Sequence, residues 1–523
     1  MKKAKRVIFI LATTTSFFMV WPFCAFANIK SLPHFIFKGN TVYSSKMLNH
    51  ICSMGEQSRI KKSKNIQTQS CAQKVTHFYR IHGYLLTKAK ASRTDTRTII
   101  VVEGKYAKII VKSTIPGSTN FLQSFFQNEQ SGSVVQEGPL DRDLLLLSDL
   151  PGVHVLSAFL PGPDYGTTNL GVSVIQAEKI SGDVSVDNYG SSYTGGFRVN
   201  GSVSANDLFH EGDSLGAFGS SSGPGYNSGG INYTATLNGK GTLAGVQYSA
   251  MDYRLGYGWW SPNPGAVNST VLSVLGSSGY GQSIGLWISQ NVERTRNTSV
   301  VLKLEYTHDI YSDTFNSASG ASNNREIDGL TFSVVGNTET ALGSSQFNLA
   351  YMEYDLTETG GSFGNPYFAT TPGFHDLLSG SIAQQIPLPG FGNTIGLSLN
   401  GQYAAEGPID PNMEYAIGGV NSVAAYSTAI LFGVDGYSTD FSVQHQFLKQ
   451  IFDGNMILGG FYDIGGITLG NQLLTIMGPG LRTSWTSGPW ALQLTVATPV
   501  GAAPSIAGYT APVEVFAGLR RTF

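Results

Sequence analysis

Beyond its first 27 residues the chain has no run of about 18 apolar residues, so nothing after the start could cross a bilayer as a helix. Charge is sparse, at 13% of 523 residues, and cysteine is sparser, with only Cys24, Cys52 and Cys71. The 9 histidines form no His-x-x-x-His pair, there is no Cys-x-x-Cys, and no Gly-x-x-x-x-Gly-Lys appears. These gaps remove the usual ligand spacings for zinc, the dithiol redox pair and the phosphate cradle. One catalytic pattern occurs formally, Gly219-Ser220-Ser221-Ser222-Gly223. It lies in a Gly/Ser run after an alternating segment, whereas the Gly-x-Ser-x-Gly nucleophile needs a strand-to-helix elbow. No catalytic residue, metal or cofactor is therefore expected, and the chain does not read as an enzyme. The basic run Arg59 to Lys64 reads as a solvated loop, not a nucleic-acid site.

The chain opens on Lys2, Lys3, Lys5 and Arg6, followed by apolar Val7 to Val20 and then Ala25-Phe26-Ala27. A basic start, a short apolar core and a small-x-small site make a secretory signal over residues 1–27. An uncleaved anchor is the alternative, and the short apolar stretch argues against it. Cys24, preceded by Trp21-Pro22-Phe23, lacks a lipoprotein setting. The mature chain would begin near Asn28 and lie in an oxidising compartment, where Cys52 and Cys71 read as a disulfide. That bridge would close a loop holding the Arg59–Lys64 run and contribute roughly 3 kcal/mol by loop entropy.

Charge divides the chain near residue 178. Residues 28–177 carry 17 Lys+Arg against 9 Asp+Glu, and residues 178–523 carry 12 against 26. A basic half joined to an acidic half suggests two jobs; the alternative reading is that the acidic residues solvate long external loops.

The basic half shows one pattern twice. In residues 33–104, Phe35-Ile36-Phe37 reads as a strand and Gly39-Asn40-Thr41 as a turn. Ser44 or Ser45 can cap a helix with Met47, Leu48 and Ile51 on one face. A second helix through Val75, Phe78 and Tyr79 should stop at Gly83, and Thr98–Val102 is a β-branched strand. In residues 105–178, Ile109–Val111 is a strand, Phe121, Leu122, Phe125 and Phe126 mark a helix, and Leu140, Leu144 and Leu147 mark another. Strands Val153–Leu160 and Leu170–Ile175 complete that unit.

From Ser181 to Phe523, apolar and polar residues alternate. Phe197, Val199 and Val203 alternate with Arg198, Asn200, Ser202 and Ser204, and Ile231, Tyr233, Ala235 and Leu237 with Asn232, Thr234, Thr236 and Asn238. Leu302, Leu304 and Tyr306 repeat the pattern, as do Ile395, Leu397, Leu399 and Tyr403, and Trp490, Leu492, Leu494 and Val496. Lipid on one face and a wet lumen on the other would produce this alternation. With helices excluded, only a closed barrel satisfies its backbone in a membrane. A membrane strand needs about 9–11 residues, and 343 positions allow about 21 for each of sixteen strands and its loop. Fourteen or eighteen would also fit. The expected fold is small α+β periplasmic domains followed by a transmembrane antiparallel β-barrel.

Particular segments carry a family resemblance. Phe37-Lys38-Gly39-Asn40-Thr41-Val42, with Gly83-Tyr84 and Val102-Glu103-Gly104, resembles a polypeptide-transport-associated (POTRA) domain. Leu144–Gly152 with Pro161-Gly162 and Gly166-Thr167-Thr168 resembles the second such domain of two-partner secretion transporters. Those outer-membrane proteins export, and often activate, haemolysins and adhesins. The motif Asp187-Asn188-Tyr189-Gly190-Ser191-Ser192-Tyr193-Thr194-Gly195, with Gly212-Asp213 after it, is similar to their first barrel strands. Ala416-Ile417-Gly418-Gly419-Val420-Asn421-Ser422-Val423-Ala424-Ala425-Tyr426, then Gly433-Val434-Asp435-Gly436, resembles the loop that folds back into their lumen. Phe461-Tyr462-Asp463-Ile464-Gly465 is similar to the wall strand that receives the loop tip. Phe523, with Val513, Val515, Ala517 and Leu519 on its face, resembles the terminal signal read by the barrel-assembly machinery. Arg521 interrupts that face, which is tolerable near an interface. Sixteen strands is what the resemblance implies.

Two departures stand out. The family loop reads Val-Arg-Gly-Tyr, its Arg pairing with the wall Asp, whereas this chain has Val423, Ala424, Ala425 and Tyr426. Without that arginine, Asp463 is expected to be hydrated, bonded to backbone groups or protonated. The amino-terminal plug helix of some relatives is also missing, with only residues 28–32 between the cleavage site and the first domain. The resemblance implies a protein-translocating pore in the cell outer membrane, its amino-terminal domains in the periplasm. Its partners would be a secreted client, membrane lipid and the assembly machinery. The client would add as a strand to edges of the small domains, Val153–Leu160 first among them, unless those domains are mere spacers. An assembly factor for other outer-membrane proteins is the alternative, and a simple diffusion porin ranks below both.

Overall fold

The computed structural model describes residues 34–54, 64–115, 118–257, 277–315, 321–361, 372–390, 392–405, 407, 409–504 and 510–523. The signal segment and the basic run up to Ser63 lie outside the described residues. The chain forms two compact units that divide after Glu103.

The first unit holds β1 (Ile36–Lys38), α1 (Ser45–Ser53), α2 (Lys64–Ile81), β2 (Lys88–Ala91) and β3 (Thr98–Val102). Its sheet runs β1-β3-β2, with β1 parallel and β2 antiparallel to β3. Ser44 caps α1, its hydroxyl accepting from the Met47 N–H at 3.3 Å. Leu48, Ile51 and Cys52 face the core, where Val75 and Tyr79 of α2 meet them. Met47, expected on that face, is 44% exposed. It lies one residue, about 100° of helical turn, from Leu48, and the buried stripe runs through 48, 51 and 52. Cys52 and Cys71 form a disulfide between the two helices. Buried Glu103 accepts from the Thr41 N–H at 2.8 and 2.9 Å, the Val42 N–H at 3.0 Å, the Thr41 hydroxyl and the Tyr79 hydroxyl at 2.7 Å. Burial pushes its pKa up, but these donors win and hold it below the ordinary value.

The second unit opens with β4 (Lys105–Ser113), α3 (Thr119–Gln123), a 3-10 turn (Ser124–Phe126), α4 (Glu137–Ser148), β5 (Val153–Pro161) and β6 (Thr167–Gln176). The sheet order is β4-β6-β5. The outer side of β4 is partly covered, because the Tyr106 N–H bonds to the Ser133 carbonyl and the Val135 N–H to that of Gly104. β5 is an edge, and Leu156, Phe159 and Leu160 stand exposed along it.

The barrel follows. Its strands are β7 (Ile180–Asp187), β8 (Arg198–Asn206), β9 (Asp213–Ser221), β10 (Tyr226–Asn238), β11 (Thr242–Arg254) and β12 (Ser278–Arg294). Next come β13 (Thr298–Phe315), β14 (Ala321–Thr340), β15 (Gly343–Gly361), β16 (Gly373–Pro387) and β17 (Asn393–Ala404). A hairpin of β18 (Tyr415–Ile417) and β19 (Leu431–Gly433) interrupts the wall. The wall resumes with β20 (Asp435–Gln446), β21 (Asn455–Leu469), β22 (Gln472–Ser487), β23 (Trp490–Ala497) and β24 (Glu514–Thr522). Among the described residues sixteen strands close antiparallel, with β24 meeting β7. Outward residues include the expected apolar ones: Ile231, Leu304, Leu397 and Leu492 are all exposed, as lipid contact requires. Phe197, expected on β8, precedes it, since β8 starts at Arg198. Arg521 stacks over outward Trp490, 5.4 Å from the ring, which shelters the charge that breaks the terminal face.

The second small domain docks on three barrel turns. Asp149 takes Arg294 in a two-pronged pair at 2.7 and 2.8 Å, and Asp141 takes Arg296 at 2.8 Å. The Phe121 ring meets His210 edge-on, and backbone atoms of Phe125 come so close to Gly239 that a methyl there would lie 2.5 Å away.

Candidate functional site: the inward loop and the barrel wall

The loop from β17 to β20 leaves the rim opposite the docked domain and turns into the bore. Its hairpin is tightened at Gly418 and Gly419, with φ of +104° and +89°, values at which a side chain is strained. The Gly419 N–H donates to the Tyr426 carbonyl at 2.9 Å and the Ser422 N–H to the Gly419 carbonyl at 3.0 Å. Val423, Ala424, Ala425 and Tyr426 are all buried, packed with Phe461, Ile476 and Phe516 of the wall. Asp435 accepts from the Ala404 N–H at 2.8 Å, tying the two roots of the loop together, and Tyr415 packs onto Gly436 so closely that a Cβ there would meet its ring at 2.3 Å.

The tip meets the wall strand at Asp463. The carboxyl bonds to loop backbone there: the Ala424 N–H donates to Oδ2 at 3.0 Å. Asp463 is fully buried, and Asp440 faces it across the strands. Oδ1 has no hydrogen-bond partner among the described residues. Arg482 of β22 stacks over Phe461 at 4.6 Å from the ring and comes within 3.8 Å of Asp440 Oδ2. A wall cation thus sits beside the carboxyl pair, where the resemblance implied a loop cation. Gly465 and Gly478 form the seat: a methyl on Gly465 would lie 2.7 Å from Val423 Cγ2, and one on Gly478 2.4 Å from Ala425 Cβ.

The Asp187–Gly195 motif is placed differently from its expected position. Only Asp187 lies in a strand, and Asn188 to Gly195 form the turn into β8. Asp187 accepts from Arg198 Nε at 3.1 Å and Asn200 Nδ2 at 2.8 Å. Asn188 closes the seam: its amide donates to the Val515 carbonyl at 2.7 Å, and its carbonyl accepts from the Ala517 N–H at 2.6 Å. Gly190 packs on the Gly195 carbonyl, the Ser191 hydroxyl accepts from the Tyr193 N–H at 3.3 Å, and the Thr194 carbonyl accepts from the Ser222 hydroxyl. Loop and seam meet, since the Ser427 hydroxyl donates to Glu514 at 2.8 Å and that of Thr428 to the Tyr189 carbonyl at 2.9 Å. Phe523 exchanges two backbone bonds with Gly182 at 2.9 Å. Ser221, the formal nucleophile, ends β9 and donates to Asn227 at 2.7 Å, as an ordinary strand-end serine does.

Sequence reasoning missed one cluster. Arg325 of β14 is 1% exposed and gives one nitrogen to Asp313 at 2.5 Å and two to Asp410 at the root of the loop. Tyr253 donates to the other oxygen of Asp313 at 2.6 Å. The available signal was its isolation, since no other arginine falls between Arg296 and Arg482.

This bore, loop and pair of small domains match known proteins. Residues 166–481 match the family described as haemolysin secretion/activation protein ShlB/FhaC/HecB. The chain belongs to that family. It is 24% identical over 452 residues to the heme/hemopexin transporter protein HuxB of Haemophilus influenzae, covering 82% of this chain and 76% of HuxB. The structure is similar to CdiB from Escherichia coli, with a TM-score of 0.72 at 17% identity over 97% of this chain and 93% of that one. CdiB from Acinetobacter baumannii gives a TM-score of 0.65 at 16% identity, covering 98% and 95%. BamA from Haemophilus ducreyi lacking POTRA domains 1–3 gives 0.55 at 14%, covering 94% and 99%. This member of the ShlB/FhaC/HecB family is an outer-membrane translocon with POTRA-like domains facing the periplasm. It stands closer to two-partner secretion transporters than to assembly factors.

Proposed function

We propose that this protein exports a large partner exoprotein, of the haemolysin or adhesin kind, from the periplasm to the cell surface. The observation that carries the reading is the open β5 edge of a domain docked on the mouth of a polar-lined barrel. An edge strand with exposed Leu156, Phe159 and Leu160 is an aggregation hazard unless something pairs with it. An unfolded client adding there would use main-chain hydrogen bonds, which require no particular client sequence, while alternate side chains give selectivity. It would then pass the inward loop and fold outside, and that folding supplies the drive. The seat of Ala424 on Asp463 is the part of the loop that such a client must displace or skirt. Phe523 would serve the assembly machinery when the barrel inserts.

The test is a double substitution on the edge, Leu156→Lys with Leu160→Lys, in a strain producing this protein together with a large repeat-rich exoprotein as candidate client. Charged edge residues block strand addition, so export should fall about tenfold while the barrel still assembles. Unchanged export would remove β5 from the pathway. Normal export after deletion of this gene would remove the transporter reading altogether.

A further inference from the structure

The inward loop is tied at two places that lie across the bore from each other. Counting around the ring, β14 and β24 are separated by eight of sixteen strands, which makes them opposite walls. On one wall Asp410 meets Arg325 of β14. On the other, Ser427 and Thr428 meet Glu514 and Tyr189, and Ala424 meets Asp463 on the way. Residues 410–428 therefore form a bar across the lumen.

The two ends differ in chemistry. The far end carries no ion pair of its own: it is held by apolar packing of residues 423–426 on the wall and by single hydrogen bonds from hydroxyl and backbone donors. The Asp410 end is ionic and sealed: Arg325 is 1% exposed, Asp410 is fully buried and Asp313 is 5% exposed. Ile409 and Met413 flank it, packing against Leu377 and Ala404 and against Ile327 and Tyr354 respectively. Asp410 also accepts from the Asn412 N–H at 2.9 Å, so the carboxylate that grips the wall shapes the loop's elbow too. A buried ion pair contributes little net stability, but removing one partner is costly because the other is left charged and unpaired. The arrangement suits a two-position element, in which the elbow is either fully seated or fully out.

We propose that Arg325 is the latch of this bar, with Asp410 as its catch and Asp313, oriented by Tyr253, as the residue that aims the guanidinium. Arg325 is a positioning residue. It holds the loop across the bore from a wall that the loop motif itself does not reach. The proposal builds on the reading of the barrel as a translocation pore, and it concerns what keeps that pore narrow at rest.

The experiment uses the full mature protein in planar lipid bilayers, comparing Arg325→Gln, Asp410→Asn and the charge-exchanged pair Arg325→Asp with Asp410→Arg. Each single variant should raise the open-channel fraction about a hundredfold or more, the scale of leaving one member of a buried ion pair unpartnered. Chymotrypsin should then cleave at Tyr415 or Tyr426, while the temperature at which the barrel loses its compact gel migration stays put. The exchanged pair should return both readings toward the parent. Single variants that conduct and resist cleavage like the parent, with the barrel intact, overturn the latch, as does an exchanged pair no tighter than the singles. If Arg325→Gln does not assemble, Asp410→Asn decides, since it leaves the wall unchanged. Variants that open as expected while the parent carries no client would sink the secretion reading and leave the latch standing.

Discussion

Gly465→Ala tests the seat of the loop tip with the smallest available change. A methyl at this position would lie 2.7 Å from Val423 Cγ2, while its next neighbours, the Tyr437 carbonyl and Ile417 Cγ2, are at 3.4 and 3.5 Å. The added carbon therefore presses on the loop and hardly on the wall. Overpacking of this kind costs about 1–3 kcal/mol. Val423 adjoins Ala424, so a tip that backs away also lengthens the 3.0 Å bond to Asp463. If the cost falls on the seated loop alone, its occupancy should fall roughly 5- to 150-fold relative to the unseated state. Chymotrypsin sensitivity at Tyr426, fully buried in the parent, reads that change directly, and channel conductance reads it independently. Adding Val423→Ala removes the colliding methyl and should restore protection. A Gly465→Ala protein as resistant and as quiet as the parent, or one that Val423→Ala fails to rescue, would refute the packing argument.

Further expectations concern the small domains. Replacing Cys52 and Cys71 by serine opens a link spanning 19 residues of sequence, and should lower the stability of the first unit by roughly 3 kcal/mol in a urea melt followed by its aromatic signal. Glu103 is held below its ordinary pKa, so its stabilising contribution is present at neutral pH and is lost as pH falls through the folded value; Glu103→Gln should flatten that acid-side loss, and an unchanged pH profile would speak against it. Asp143, buried in the second domain beside Glu129, has its pKa raised by burial first and by its carboxyl neighbour next. Its contribution is greatest in acid and declines as pH climbs above 3.8, so Asp143→Asn should protect α4 from hydrogen exchange at pH 8 more than at pH 5. Arg294→Ala with Arg296→Ala should loosen the docked domain by about 1 kcal/mol at low salt and by less at high salt, read by exchange at Gly239–Gly241.

Much of the fold was legible because a barrel writes itself into the chain with period two. Alternation at Ile231–Leu237 or Trp490–Val496 reports both strand and face, and Thr98–Val102 is a strand by β-branching alone. The loop motif was legible as a resemblance, but its contacts were not. Glycines at 465 and 478 fit a seat only after β21 and β22 are known to line it. The pairings of Arg482 and Arg325 were not legible for another reason: their partners lie at distant sequence positions, Asp440 and Asp410, and a contact between non-adjacent strands or with a loop root leaves no local spacing to read. Met47 shows the limit at short range, since a helix stripe read from three residues can be off by one position. The segment Asn188–Gly195 was placed on the first strands by resemblance alone, while Gly190 and Gly195, which force the bend, look like any other glycines in a Gly-rich chain.

The helical side of the second domain is occupied by the barrel rim, through Phe121, Phe125 and the pairs at Asp141 and Asp149. That leaves the sheet edge as the side free to receive anything. A polypeptide accepted there is straightened in the act of being recognised, since strand pairing admits only extended backbone. Extended backbone is also the form that a narrow wet tube will pass. Capture and unfolding would then be one event, performed at the threshold by a domain held still for the purpose.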